Sequence, residues 1–124
     1  MFACGSPFDP VQFNGQTFVP RQGNNSYIFP GVGLGVIASG ARLVTDEMFM
    51  SAAKTLADLV PKSDLDQGSL YPALPRIREV SAHIAAAVAQ IAYQHHLAAA
   101  GPPPNDLLAH AQSYMYDPCY CDYV

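Results

Sequence analysis

The sequence predicts a mainly α-helical chain that carries one β-hairpin and has too little strand to build a sheet of its own. Three observations lead there. Ile77, Val80, Ile84, Val88 and Ile91 step by 3, 4, 4 and 3 residues, one clean stripe of a long helix. Thr45-Asp46-Glu47 opens a second periodic apolar run, which stops at Pro61. Asn14-Gly15 stands between two short strand-like runs, a strong local hairpin signal. At 124 residues the chain suits one domain.

The composition narrows the function classes. Half the residues are apolar and 13% are charged, which excludes high-charge disorder. The net charge is −4 and the six Lys and Arg residues are scattered. A nucleic-acid surface needs clustered cations, so nucleic acid is not an expected partner. Eleven Pro and nine Gly break the chain into short elements. Cys4, Cys119 and Cys121 cannot all pair within one chain, which points to free thiols in a reducing, intracellular compartment. No charged segment precedes Gly5 and Pro7, so no signal peptide is expected. The longest apolar run, Gly31 to Ala41, falls short of the ~20 residues that span a bilayer, and no membrane association is expected.

Residues 2–20 read as extended. With an Asn14-Gly15 turn, Phe13 faces Gln16 and Val11 faces Phe18, so Val11, Phe13 and Phe18 share one face. Such a hairpin is marginal alone and is expected to lie against something larger. Residues 21–25 are a polar loop. Gly31 to Ala41 is uncharged and rich in small residues, which suits a buried helix packed closely on its neighbours. From Thr45, the residues Met48, Phe49, Ala52, Ala53, Leu56, Leu59 and Val60 follow helical spacing. Residues 63–68 form one short turn. The longest helix is predicted from about Pro75 to about Ala100, stopped by Gly101 and three prolines. Asn105 or Asp106 caps a last helix to about Tyr114, and residues 116–124 form an aromatic, irregular tail.

Few residues offer chemistry. Gly33-Leu34-Gly35-Val36-Ile37-Ala38 fits G-x-G-x-x-A in form, but Pro30 and Gly31 separate it from any strand. The first acidic residues, Asp46 and Glu47, come too early for a ribose contact. Close helix packing is the better reading. Asn24-Asn25 precede an apolar helix. Their amides can donate to a carboxylate or carboxamide without adding charge, or can simply cap the helix. His83, His95, His96 and His110 make no i, i+4 pair, and Cys119-x-Cys121 lacks a second ligand pair, so no metal site is expected from the chain's own residues. No nucleophile elbow is present.

A longer pattern runs through these pieces. Phe2-Ala3-Cys4-Gly5-Ser6-Pro7-Phe8, Asn14-Gly15-Gln16-Thr17 and Gln22-Gly23-Asn24-Asn25 are followed by Tyr27-Ile28-Phe29-Pro30-Gly31 and Gly35-Val36-Ile37-Ala38. Then come Thr45-Asp46, Gln67-Gly68-Ser69-Leu70-Tyr71-Pro72, Ile77-Arg78-Glu79-Val80-Ser81 and Met115-Tyr116-Asp117. In this order they resemble the C-terminal region of malic enzymes, the NAD(P)-dependent decarboxylating malate dehydrogenases.

The resemblance implies an α/β parent fold, of which this chain is a mainly helical fragment with a β-hairpin. Residues 1–100 would be the C-terminal part of a Rossmann-like NAD(P)-binding domain, and residues 101–124 a C-terminal tail and helix. Phe2-Ala3-Cys4 would end a strand of the parent sheet, and the small-residue helix, taken alone, would lack its packing surface. The implied reaction converts malate to pyruvate and CO2 with NAD or NADP and with Mg2+ or Mn2+, in a homodimer or tetramer. Asn25 or Asn24 would bind the malate carboxylate. Asn24 and Ser6 would lie near the cofactor. The acid, base, metal ligands and dinucleotide loop of the family lie outside this chain, so the chain alone is expected to be inactive. Arg21 stands where the family usually has glycine. The alternative is a non-catalytic helical interaction module derived from such an enzyme.

Overall fold

A computed structural model describes residues 2–119. Cys121 and the rest of the predicted tail beyond Cys119 lie outside the described residues. The chain opens with a hairpin, β1 (Val11–Phe13) and β2 (Gln16–Phe18). The pairing is the predicted one, Val11 with Phe18 and Phe13 with Gln16. Asn14 and Gly15 take φ of 50° and 75°, the positive values that a type I′ turn demands. Across the strands the Gln12 Nε2 donates to Thr17 Oγ1 at 2.7 Å. Val11 and Phe13 remain more than half exposed. The hairpin is anchored along its other edge, where Val19 N–H donates to the Gln67 carbonyl and Ser69 Oγ donates to the Val19 carbonyl. Phe2-Ala3-Cys4 joins no ladder, because a strand needs a partner. Instead the Cys4 carbonyl accepts from Gly23 N–H at 2.8 Å.

The helices are α1 (Phe29–Ser39), α2 (Asp46–Asp58), α3 (Lys62–Asp66), α4 (Ile77–Gln94) and α5 (Leu107–Ser113). No helix among the described residues is long and apolar enough to cross a membrane. α2 starts where the sequence places it. Thr45 Oγ1 accepts from Met48 N–H, with Asp46 and Glu47 in the positive first turn. Of its apolar positions, Met48, Ala52 and Leu56 enter the core, whereas Phe49 and Ala53 stay exposed. The α4 stripe behaves as predicted: Val80, Ile84 and Val88 are fully buried, flanked by half-buried Ile77 and Ile91.

The small-residue helix is not left without a partner. α1 lies directly on α4, and two glycines make that approach possible. A Cβ on Gly31 would sit 2.7 Å from the Ile84 Cβ, and one on Gly35 would sit 2.6 Å from the Ala85 carbonyl oxygen. Gly33, the first glycine of the apparent dinucleotide motif, has open space on the outer face. The spacing that matters is therefore Gly31-x-x-x-Gly35, one helical face, and of the motif's two glycines only Gly35 serves packing, in mid-helix.

The long helix ends earlier than predicted. α4 stops at Gln94 rather than near Ala100, and His96 turns the chain with a φ of 56°. Ala98 to Ala100 have good helix propensity, but tertiary bonding overrides it. Ala99 and Ala100 N–H groups donate to the Ser39 carbonyl, and Ala99 N–H also approaches the Gly40 carbonyl. Arg42 N–H donates to the Leu97 carbonyl in return. These bonds satisfy carbonyls that the end of α1 would otherwise leave orphaned. α5 follows an Asp106 cap, its Oδ1 accepting from Ala109 N–H, and His110 Nε2 reaches the Ala38 carbonyl at 3.1 Å.

The loop before α1 is fixed to the segment before α4. The rings of Tyr27 and Tyr71 stack at 5.3 Å, and the Tyr27 hydroxyl donates to the Pro72 carbonyl at 2.7 Å. Burial pushes the Tyr27 phenol above its ordinary range. The Arg21 guanidinium opposes that shift and Tyr71 adds to it.

Two predictions follow from this packing. Gly35→Ala and Gly31→Ala force Cβ atoms into occupied space and should each destabilise by roughly 1–3 kcal/mol in urea unfolding. Gly33→Ala should stabilise by about 0.5–1 kcal/mol, because only helix propensity changes. Equal effects at the three positions would refute the close α1–α4 approach. For Tyr27, the neutral phenol is the form that folding favours. Its contribution is complete below the unfolded phenol value, about 10. It is lost as pH rises through the higher folded value. Tyr27→Phe should cost about 1 kcal/mol at neutral pH by removing the bond to Pro72. It should also flatten the alkaline fall in stability relative to wild type. Parallel alkaline limbs for the two proteins would refute the buried-phenol assignment.

Candidate carboxylate-binding cleft

The 3₁₀ turn Asn25–Tyr27 precedes α1 and carries the two amides singled out in the sequence. Asn24 adopts the extended conformation of a cap, φ −123° and ψ 142°, and its Oδ1 accepts from Ser26 N–H at 2.9 Å. That bond fixes which end of the amide is spoken for. The oxygen caps the turn, and the Nδ2 group keeps its donors. The Asn25 side chain makes no hydrogen bond among the described residues, and both asparagines are exposed. The cap thus occupies one side-chain oxygen of the pair, and the side-chain amide N–H groups of both residues make no hydrogen bond among the described residues.

Both asparagines line a cleft of about 690 Å³. One wall is the Ala3-Cys4-Gly5 segment together with Gly23. The apolar part of the lining comes from Ile28 and Phe29 at the start of α1 and from Ala53, Leu56 and Ala57 of α2. Leu70 and Tyr71 close one side, beside Tyr27. Cys4 Sγ is engaged locally, accepting from Ser6 N–H at 3.4 Å and approaching the Ser6 carbonyl at 3.5 Å. Ser6 itself is exposed and does not line the cleft, whereas its neighbour Gly5 does.

No charged side chain lines the cleft among the described residues. Its polar character comes from amide donors, backbone groups and the positive end of the α1 dipole, which borders it at Ile28 and Phe29. Neutral donors beside a helix N-terminus on an apolar wall suit one carboxylate or carboxamide group. They do not suit a pyrophosphate, since the glycines of Gly33 to Ala38 lie within α1 rather than in a phosphate loop.

The histidines stand apart from the cleft. His95 Nε2 lies 3.1 Å from Glu47 Oε2, His96 is exposed and His110 bonds the α1 carbonyl described above. Among the described residues no three His, Cys, Asp or Glu side chains are grouped to hold a metal ion. The residues present therefore do not fit the divalent cation that the resemblance implies.

The sequence reading found the amides and missed the α2 wall and the Tyr27–Tyr71 stack. A signal for the wall exists in the spacing of Ala53, Leu56 and Ala57. It is indistinguishable in one dimension from a core stripe.

Residues 1–93 match the family model of the malic enzyme NAD binding domain. The NADP-dependent malic enzyme of Vitis vinifera is 52% identical over 123 residues, which are 99% of this chain and 21% of that protein. The chloroplastic NADP-dependent malic enzyme of Zea mays is 51% identical over 123 residues, 99% of this chain and 19% of that protein. NADP-dependent malic enzyme 1 of Arabidopsis thaliana is 50% identical over 120 residues, 97% of this chain and 21% of that protein. The chain thus spans about a fifth of the length of these curated relatives. Half-identity along nearly all of its residues, with a family model covering most of them, leads to one assignment: the chain belongs to the malic enzyme family.

Proposed function

We propose that this chain supplies the substrate-carboxylate wall of a malic enzyme, which oxidatively decarboxylates malate to pyruvate with NAD(P)+. The observation that carries the reading is the juxtaposition of Asn24 and Asn25 on one uncharged cleft at the start of α1. The relatives' dependence on NADP favours NADP over NAD. The chemistry that the cofactor and a divalent cation, Mg2+ or Mn2+, supply in such an enzyme is hydride acceptance and Lewis-acid polarisation. The metal ligands, general acid and general base belong outside these residues.

Within the chain, the roles divide by what each group has left to offer. Asn25, with its side chain uncommitted, donates to the malate carboxylate. Asn24 spends its oxygen on the cap and presents Nδ2 to the same carboxylate or to the nicotinamide carboxamide. Phe29, Leu56 and the α2 alanines give the cleft an apolar lining that offers the ligand no competing hydrogen-bond partner. Ser6, outside the cleft wall, is at most a rim contact to the cofactor. Residues 1–100 act as the closing part of the NAD(P)-binding domain and residues 101–124 as a C-terminal extension.

The test has two arms. The 124-residue chain, given malate, Mn2+ and either cofactor, should form no NAD(P)H above blank. The second arm places residues 1–124 in the Zea mays enzyme in exchange for its matching segment. There Asn25→Ala should lower kcat/KM for malate at least about tenfold, since a hydrogen bond to a charged group contributes roughly 1.5–3 kcal/mol. Asn24→Ser, which keeps a capping oxygen, should separate Asn24's recognition role from its cap. Wild-type malate kinetics in both asparagine variants would leave the loop a helix cap and end the substrate assignment.

A further inference from the structure

Arg21 opens the polar loop but does not line the cleft. It borders a smaller recess beside Ala73 and Leu74. Its Nη1 donates to Asp64 Oδ2 at 2.6 Å and to the Tyr71 carbonyl at 2.8 Å. Both side chains of the ion pair are only 20% exposed. Neither acceptor is loose. The Asp64 carbonyl accepts from the Gln67 and Ser69 N–H groups, which closes the end of α3. Tyr71 carries the ring stacked on Tyr27.

The chain therefore leaves the Tyr71 segment at Arg21 and returns to it at Tyr27. Asn24 and Asn25 lie between these two anchors. Between them, Gln22 Nε2 on the Gly5 carbonyl and Gly23 N–H on the Cys4 carbonyl also tie the loop to the N-terminal segment. A side chain placed on Gly23 would meet the Tyr71 hydroxyl at 3.2 Å, so the loop runs close over that ring.

We propose that Arg21 is a positioning residue: its guanidinium, shared between Asp64 and the Tyr71 carbonyl, sets where the Asn24 and Asn25 amides stand on the cleft wall. It acts through the loop and not by touching substrate, because Asp64 already takes its charge. The proposal rests on the reading of those amides as carboxylate donors.

The experiment compares the full 124-residue chain with Arg21→Gly and Arg21→Lys by NMR. Hydrogen exchange at the Gly23, Tyr27 and Ile28 amides reads the order of the loop, with Val88 in α4 as the core reference. Malate titration, followed at the Asn side-chain amides, reads recognition. Arg21→Gly should speed exchange of the loop amides about tenfold while Val88 is unchanged. It should weaken malate binding about tenfold. Arg21→Lys should restore most of both, since one ammonium can donate to both acceptors. Unchanged loop exchange in Arg21→Gly, or loss only in step with Val88, overturns the proposal. Measurable malate binding that is equally strong in wild type and Arg21→Gly also overturns it. A wild-type chain that binds no malate, yet loses loop order in Arg21→Gly and regains it in Arg21→Lys, upholds the tie and overturns the substrate reading instead.

Discussion

The structure depends on the close approach of α1 to α4 across Gly31 and Gly35. With no Cβ at these positions, the α1 backbone settles against Ile84, Ala85 and Val88. Both ends of α1 are then committed. Its C-terminal carbonyls meet the chain leaving α4, which is why Ala99 and Ala100 run back along them and not onward in a helix. Its N-terminus is brought to the mouth of the cleft, with the asparagine turn immediately before it. A shift of α1 by the width of one methyl group would move the turn, the dipole end and Phe29 together. Close-packed interiors transmit such displacements and do not absorb them.

What was legible in the sequence is what depends on near neighbours. The hairpin register follows from two residues that tolerate positive φ. The α2 start follows from a threonine oxygen three residues before the N–H it accepts from. The buried stripe of α4 follows from helical spacing. The misread features are non-local. Gly101 and the three prolines suggest a later end for α4, whereas carbonyls at the end of α1, far earlier in the chain, hold the segment after Gln94. Arg21 reads locally as an extra charge near a substrate loop, but its partner lies 43 residues away and removes that charge from the cleft. The paired asparagines were visible as amides. Their cleft was not, because its walls come from the N-terminal segment, α1, α2 and the Tyr71 strand of loop.

On the proposed reading, the absence of charged lining side chains among the described residues has a physical sense. A cationic side chain at the cleft would bind any anion, whereas amides bind by direction. Each Asn Nδ2 offers two N–H vectors in a fixed plane, and the apolar α2 residues of the lining add no competing donor or acceptor. The helix dipole adds a modest preference for negative charge, about 0.3–1 kcal/mol near a first turn. Selectivity then rests on geometry, and geometry rests on how firmly the loop is held.

That firmness and the recognition chemistry share atoms. Asn24 Oδ1 is a structural acceptor and its Nδ2 makes no hydrogen bond among the described residues, so on the proposed reading one side chain both shapes the turn and presents a donor. Tyr27 likewise divides its work. Its ring stacks on Tyr71, its hydroxyl closes on Pro72, and its backbone N–H approaches the Asn24 carbonyl at 3.2 Å. On the proposed reading of the amides as carboxylate donors, a change at an anchor of this loop alters recognition without touching the ligand. The same coupling explains why sequence alone leaves the two asparagines hard to separate. They are neighbours in one turn, and the difference between them is a single hydrogen bond, the one from Ser26 N–H, that only the folded loop reveals.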